Sequence, residues 1–342
     1  MRNNILIAAA LALLAFGTLS FQSARSAVAT AAPAPPASFA AAQATTAIPQ
    51  DYNPNFNYDC DRACLNSYAD QYLAALVAHD PSRLPLARQV KFTENGQQLP
   101  LGEGLWGTAS GIGNYKIYAD DPEAGEVMFI GTMFENGAPI ILNARLKIEI
   151  RRITEIETVI ARKEAGSLAR PENLVQPNPL FAETVPPAER RSRQNMIAIA
   201  NSYFSAIEKG HASYVPFDKD CNRIESGVQT TNNPSLSSAP GSVFGLGCEA
   251  QIQLRDFQPD TYLRDRRFLV VDEERGLVFV CGFFDHDARL RTFTLADGRV
   301  EHQTRTAPWT WEFAELFKIQ NGKIMRVEAI VDSAPYGMKS GW

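Results

Sequence analysis

Apolar side chains in this chain change period twice, and in the same order each time. Leu65, Tyr68, Ala69, Tyr72, Leu73 and Leu76 follow one another at three- and four-residue steps, which predicts an amphipathic helix over about 59–79 with one apolar stripe. Asp80 and Pro81 end it, because the residue before a proline is driven out of helical geometry. A second helix is predicted over about 188–209. After each helix come a short proline-containing segment, a strand closing on Glu94 to Gly96 or Glu225 to Gly227, and then runs of β-branched and aromatic residues. Asn136 with Gly137, and Asp297 with Gly298, are dipeptides that favour the tight turn of an antiparallel hairpin. Helix first and antiparallel strands afterwards, with no strand–helix alternation, is the order of an α+β fold.

The two halves are also alike residue by residue. Tyr72 to Leu76, Pro85 and Glu94 recur 131 positions later as Tyr203 to Ile207, Pro216 and Glu225. Phe129 to Phe134 aligns with Phe279 to Phe284 at a spacing of 150, and Leu146 to Ile148 with Phe317 to Ile319 at 171. The second half then carries insertions of 19 and 21 residues. Solenoid repeats run about 20 to 50 residues, so a period this long means duplication of a whole domain. Tyr72 and Tyr203, Phe129 and Phe279, and Ile148 and Ile319 are the positions expected to coincide. The expected organisation is a signal peptide over 1–29, an Ala- and Pro-rich leader over 30–52, a first domain over 53–165, a Pro-rich linker over 166–187 and a second domain over 188–342. The prolines of the linker predict an extended, semi-rigid spacer.

The leader reads as an export signal. Arg2 precedes the apolar stretch from Ile5 to Leu19, and Ala27 to Ala29 form a small-x-small cleavage site, too short a run for a membrane anchor. The protein is thus expected to be periplasmic or extracellular, with no membrane span once the signal is cleaved near Ala29. Export permits disulfides. Cys221 and Cys248 bracket the first insertion and are the expected pair. Cys60 and Cys64 stand four apart at a helix start, where a bridge requires a frayed first turn, and Cys281 reads as a buried small hydrophobe. A net charge of −5, spread along the chain, argues against nucleic acid, which needs clustered Lys and Arg. Four histidines with no HxH or HExxH spacing give no metal site, and no cofactor motif is present. A homo-oligomer is left open.

The leading helix with an inward tyrosine, the long hairpins and a last strand entered through Asn321 to Ile324 resemble the nuclear transport factor two-like superfamily. Its members include the SnoaL-like polyketide cyclases, ketosteroid isomerase and scytalone dehydratase. The resemblance implies two tandem cone-shaped domains, each with helices packed on a curved antiparallel sheet around a pocket. It further implies a small hydrophobic or aromatic ligand and a cofactor-independent lyase or isomerase working by proton transfer. The alternative is a non-catalytic ligand-binding or scaffold protein.

Within that frame the sequence singles out one hairpin. If Asp297 and Gly298 form a two-residue turn, His286 lies opposite Trp309, Phe284 opposite Trp311 and Gly282 opposite Phe313. His286 between Asp285 and Asp287 is then the candidate general base, with a neighbouring carboxylate to orient it; Glu225 and Tyr203 are further catalytic candidates. Trp309, Trp311, Phe284, Tyr72, Glu94 and Trp106 are the candidate substrate contacts. Transferring the register of the first half instead shifts these pairs by one residue, a conflict that a bulge at Pro308 would relieve. Glu157 and Glu328, on the last strand of each half, are expected to face solvent.

Overall fold

The computed structural model describes residues 60–164, 167–238 and 241–342; the expected signal peptide, the leader and residues 53–59 lie outside them. The described residues lie in one compact unit. Helix α1 (Arg62–Val77) is followed by β1 (Leu86–Glu94), β2 (Gln97–Gln98), β3 (Ala109–Asp121), β4 (Glu126–Glu135), β5 (Ala138–Glu149) and β6 (Arg152–Ala161). Helix α2 (Arg193–Lys209) then leads into β7 (Phe217–Glu225), β8 (Val228–Gln229), α3 (Cys248–Leu254), β9 (Tyr262–Asp272) and β10 (Leu277–His286). A small hairpin, β11 (Thr292–Thr294) with β12 (Val300–His302), precedes β13 (Trp309–Gln320) and β14 (Lys323–Ala334). Among the described residues no helix is long and apolar enough to cross a membrane.

The strands form two six-stranded sheets of matching order, β2-β1-β6-β5-β4-β3 and β8-β7-β14-β13-β10-β9. Neither sheet is wholly antiparallel, as the sequence led one to expect: β1 runs parallel to β6, and β7 to β14. The first strand of each half is followed by four long strands, each antiparallel to its neighbour, and pairs in parallel with the last of them. Register breaks interrupt β3–β4 and β9–β10, and such bulges bend a strand.

Both long helices, α1 and α2, start from a capped end. The Asp61 carboxylate accepts from Cys64 N–H at 2.9 Å, and Ser192 plays the same part for α2. Because α1 begins at Arg62, Cys60 lies outside the helix and bridges to Cys64; Cys221 bridges to Cys248. The stripe of α1 buries Leu65, Tyr68, Tyr72, Leu73 and Leu76 in one cluster with Phe92, Phe129, Leu146 and Ile156 of the first sheet. In the second half Met196, Tyr203, Phe204 and Ile207 of α2 share a cluster with Val278, Val280, Phe284, Phe313 and Phe317. A third cluster joins the other faces of the two sheets, with Ile117, Met128 and Ile141 against Val270, Phe279, Cys281 and Leu316.

Tyr72 and Tyr203, and Ile148 and Ile319, hold matching places in the two helix-side clusters. Phe129 and Phe279 do not: Phe129 faces its helix and Phe279 faces the other sheet. The true counterpart of Phe129 is Val280, so β3–β4 and β9–β10 correspond at a spacing of 151, and a one-residue slip moves every side chain to the opposite face. Gly131 then matches Gly282, and Gly125 matches Gly276, both left-handed at φ 66° and 64°. The insertions are therefore 20 residues each, and the register conflict between the halves vanishes without a bulge at Pro308. Pairings of His286 with Trp309, Phe284 with Trp311 and Gly282 with Phe313 are observed. The tip itself differs, since Leu295 N–H donates to Arg299 O at 2.8 Å around a three-residue loop.

Two further expectations fail for one reason. The stretch after 166 is no free spacer: Ala169, Leu174, Phe181 and Val185 are buried and turn on short 3-10 segments beginning at prolines. Glu157 and Glu328 face the other sheet and are buried, Glu157 paired with Arg267 and Glu328 accepting from the Tyr115 hydroxyl at 2.9 Å. Packing of one half on the other covers surfaces that each half alone would leave wet.

Candidate functional site

A cavity of about 290 Å³ opens in the second half. Alternate residues of a strand share a face, so β10 contributes Phe284 and His286, β13 contributes Trp309, Trp311 and Glu315, and β7 contributes Arg223 and Glu225. Tyr203 and Ile207 of α2 close one side. The segment inserted after β8 supplies Thr230, Gln251, Asp256, Phe257 and Asp260, and Gln303 comes from the second insertion.

His286 is 2 % exposed. Its ring stacks on Trp309 with centroids 4.1 Å apart and meets Trp311 edge-on at 4.7 Å. The Nε2 atom lies 2.8 Å from Asp260 Oδ1, while Nδ1 is buried without a partner. A hydrogen bond donated from Nε2–H to the carboxylate leaves the lone pair on Nδ1, the tautomer a general base requires. The orienting carboxylate is neither Asp285 nor Asp287. Asp285 projects from the other face of β10, where Arg264 binds it at 2.7 Å and the Thr310 hydroxyl at 2.6 Å. Asp287 accepts from the backbone N–H of Arg289 at 2.9 Å. The burial of His286 also means that truncating it to alanine would disturb packing, contrary to what its strand-end position suggests.

Opposite the imidazole lies a charged cluster. The Arg223 guanidinium, 2 % exposed, donates to Gln251 Oε1 at 2.6 Å, Thr230 Oγ1 at 3.0 Å and the Tyr203 hydroxyl at 3.2 Å, and pairs with Glu225 at 2.9 Å. Glu315 is buried beside it with Oε2 unpartnered. Burial, then the charge of Glu225, push its carboxyl up to about 8 against the opposing pull of Arg223. Burial likewise raises the Tyr203 phenol. The cavity thus holds an oriented imidazole and a carboxyl that stays protonated near neutrality, the two halves of an acid–base pair.

Three expected contacts lie elsewhere. Tyr72 and Trp106 meet edge-on at 5.5 Å inside the core of the first half. Glu94 accepts from Leu105 N–H at 2.8 Å and faces Arg162 at 3.6 Å, so it ties down the glycine-rich loop that runs from Gly102 to Gly107. Asp260, Arg223, Gln251 and Glu315 escaped the sequence reading. Arg223 and Glu315 had a signal: their counterparts in the first half are Phe92 and Ala144, and a charge where the other copy is apolar marks a changed environment. Asp260 had none, since its partner is remote and the segment has no counterpart.

The family model "Domain of unknown function (DUF8021)" matches residues 189–331, which contain the whole cavity except Leu168. No curated protein matches the chain. Among solved structures the chain is similar to SnoaL-like polyketide cyclases and nuclear transport factor two-like proteins. One, from Xanthomonas campestris pv. campestris and described as a polyketide cyclase, is 14% identical over 41% of this chain and 92% of its own, with a TM-score of 0.28. Another, described as a SnoaL-like polyketide cyclase from Jannaschia sp. CCS1, is 12% identical over 42% and 90%, with a TM-score of 0.26. A nuclear transport factor two-like protein of unknown function from Burkholderia pseudomallei is 13% identical over 40% and 91%, with a TM-score of 0.23.

Proposed function

We propose that this chain is a cofactor-independent enzyme, a lyase or isomerase, that moves a proton on a small hydrophobic or aromatic molecule held in the cavity of the second half. One observation carries the reading: His286, stacked on Trp309 and hydrogen-bonded through Nε2 to Asp260 at 2.8 Å, stands in a cavity wall with no partner on Nδ1. Buried polar atoms are mostly hydrogen-bonded in native structures, so an unpartnered ring nitrogen calls for an explanation, and a catalytic role is one. In this reading Nδ1 takes a proton from the substrate and Asp260 stabilises the imidazolium. Glu315, protonated, returns a proton or donates a hydrogen bond to the developing oxyanion. Trp309, Trp311 and Phe284 hold the ring. Each half is read as a cone-shaped unit, 53–165 and 188–342, joined by 166–187, and the mature protein as exported after cleavage near Ala29, with two disulfides suited to that compartment.

Exchange of the α-protons of 2-tetralone with deuterated water, followed by nuclear magnetic resonance, tests the proton-transfer step on an aromatic carbon acid. The wild-type chain is expected to accelerate exchange, and His286→Asn and Asp260→Asn to lower the rate about 10²- to 10⁴-fold. Asparagine is used because it keeps a polar group at a buried site. Exchange no faster than in buffer, or unchanged in both variants, would rule the assignment out.

A further inference from the structure

Besides His286 and the Tyr203 phenol, the ionisable side chains lining the cavity are four carboxyls, Glu225, Asp256, Asp260 and Glu315, and one guanidinium, Arg223. Three of the five are already engaged with one another or with the protein: Arg223 pairs with Glu225 and donates to Tyr203, Thr230 and Gln251, and Asp260 holds His286. Glu315 is sealed into the wall, 2 % exposed. Asp256 is different. It is partly buried, lines the cavity, and neither accepts a hydrogen bond nor forms an ion pair among the described residues. The same side chain, with Glu301, also lines an adjoining cavity of about 360 Å³, so its surroundings are acidic on both sides. Of the nearby cations, Arg223 is occupied as above and Arg299 is bound by Asp297 at 2.7 Å and by the Gly241 carbonyl at 2.6 Å. Burial, then the charges of Asp260 and Glu301, hold the Asp256 carboxyl above the ordinary range, against the pull of Arg223 and Arg299.

A carboxylate half withdrawn from water with no counter-charge costs stability, and the group that relieves it is a cation. The remaining walls favour the same sign of charge: Trp309 already stacks on His286 and carries Arg305 over its ring, and Arg223 sits over Phe257, but Phe244 and Trp311 add rings with no cation of the chain over them among the described residues, and aromatic faces attract cations. An anion would meet the unpaired Asp256, while the lining guanidinium, Arg223, is already paired with Glu225 and Arg305, 4.4 Å over the Trp309 ring, lies outside the lining; the cavity itself thus discriminates by repulsion. We propose that the cavity takes a ring-bearing amine, its ammonium paired with Asp256 and its ring packed against Trp309, Trp311 and Phe257. This rests on the reading of the cavity as a small-molecule site and names the chemical class of its ligand.

Three probes that share one ring system test it on the full chain: 1-naphthylmethylamine, 1-naphthalenemethanol and 1-naphthoate, measured by calorimetry at neutral pH. The amine is expected to bind about tenfold more tightly than the alcohol, and the naphthoate more weakly than either. Asp256→Asn, an isosteric change in a loop, is expected to remove the advantage of the amine while leaving the alcohol within about twofold. The wild-type chain gives an independent reading should the variant fold poorly. The preference for the amine is expected to shrink as ionic strength rises from about 0.05 to 0.5 M, while alcohol binding stays level. If the alcohol binds as tightly as the amine, or the amine keeps its advantage in Asp256→Asn, the amine assignment is overturned and the ring-binding cavity stands. If none of the three binds, the small-molecule reading of the cavity falls and the amine assignment falls with it.

Discussion

The first and second halves share a strand order down to the two-residue β2 and β8, yet one is filled and the other hollow. In the first, Tyr72, Phe92, Trp106 and Phe129 are each at most 2 % exposed and pack under α1. In the second, the counterpart of Tyr72 is Tyr203, which lines the cavity; Arg223 replaces Phe92, Glu315 replaces Ala144 and His286 replaces Glu135. The glycine-rich loop that delivers Trp106 onto Tyr72 has no equivalent, and a disulfide-anchored insertion takes its route and walls the opening instead. One frame can serve as a packed support or as a vessel, and a few face-in positions together with one loop decide which. Copies of a domain are informative where they disagree.

Converting one half toward the other gives the largest expected effect. Arg223→Met leaves Glu225 and Glu315 without their cation and is expected to destabilise the chain by about 3–5 kcal/mol in urea unfolding. The double change Arg223→Phe with Glu315→Ala, which writes the residues of the first half into the second, is expected to recover most of that loss while abolishing ligand binding. A double variant no more stable than the single one would show that the floor of the cavity does not follow the first half's packing.

Replacing Cys221 and Cys248 by serine reopens a loop with a sequence separation of 27, worth about 3 kcal/mol in the chain-entropy description. Amide exchange is expected to quicken across 230–261 and to leave 62–161 unchanged. Equal quickening in both halves would mean that the insertion is part of the common core and not a wall added to it.

The remaining effect is electrostatic and is read as a slope. Burial raises Glu312, Glu315 and Glu328 from 4.5 to about 8. Between those values the unfolded chain has released these protons and the folded chain still holds them, so folding binds protons and stability falls as pH rises from 4.5 to about 8. The unfolding free energy is therefore expected to decline steadily across that window. Glu315→Gln removes the contribution of the cavity, and Glu328→Gln that of the interface between the halves. Stability that is flat or rising from pH 5 to 8 would contradict both burials.

Much of this was written locally. Three- and four-residue spacing marked α1 and α2, Asn136 with Gly137 marked the β4–β5 turn, and a register counted from Asp297 and Gly298 placed His286 against Trp309 and Phe284 against Trp311, although that tip closes as a three-residue loop. The slip of one residue between the halves came from anchoring on two phenylalanines, where Gly131 with Gly282 and Gly125 with Gly276 carried the true correspondence. Glycine was the better anchor because the backbone demands it: at Gly282 a Cβ would press on the Phe313 ring, whereas an aromatic position tolerates Val280.

The sequence by itself determined the helices, the β4–β5 turn, the duplication, the Cys221–Cys248 bridge and the pairing of His286 with Trp309. Each depends on residues near in sequence or on a register that a turn transmits. Tertiary structure alone decided that Asp260 orients His286, that Glu157 and Glu328 are buried, that Trp106 fills one half while the other stays open, and that Asp256 lacks a partner. These depend on surfaces brought together from remote segments. A carboxylate carries no mark of its own environment: its solvation and its counter-charge are set by whatever the fold lays against it.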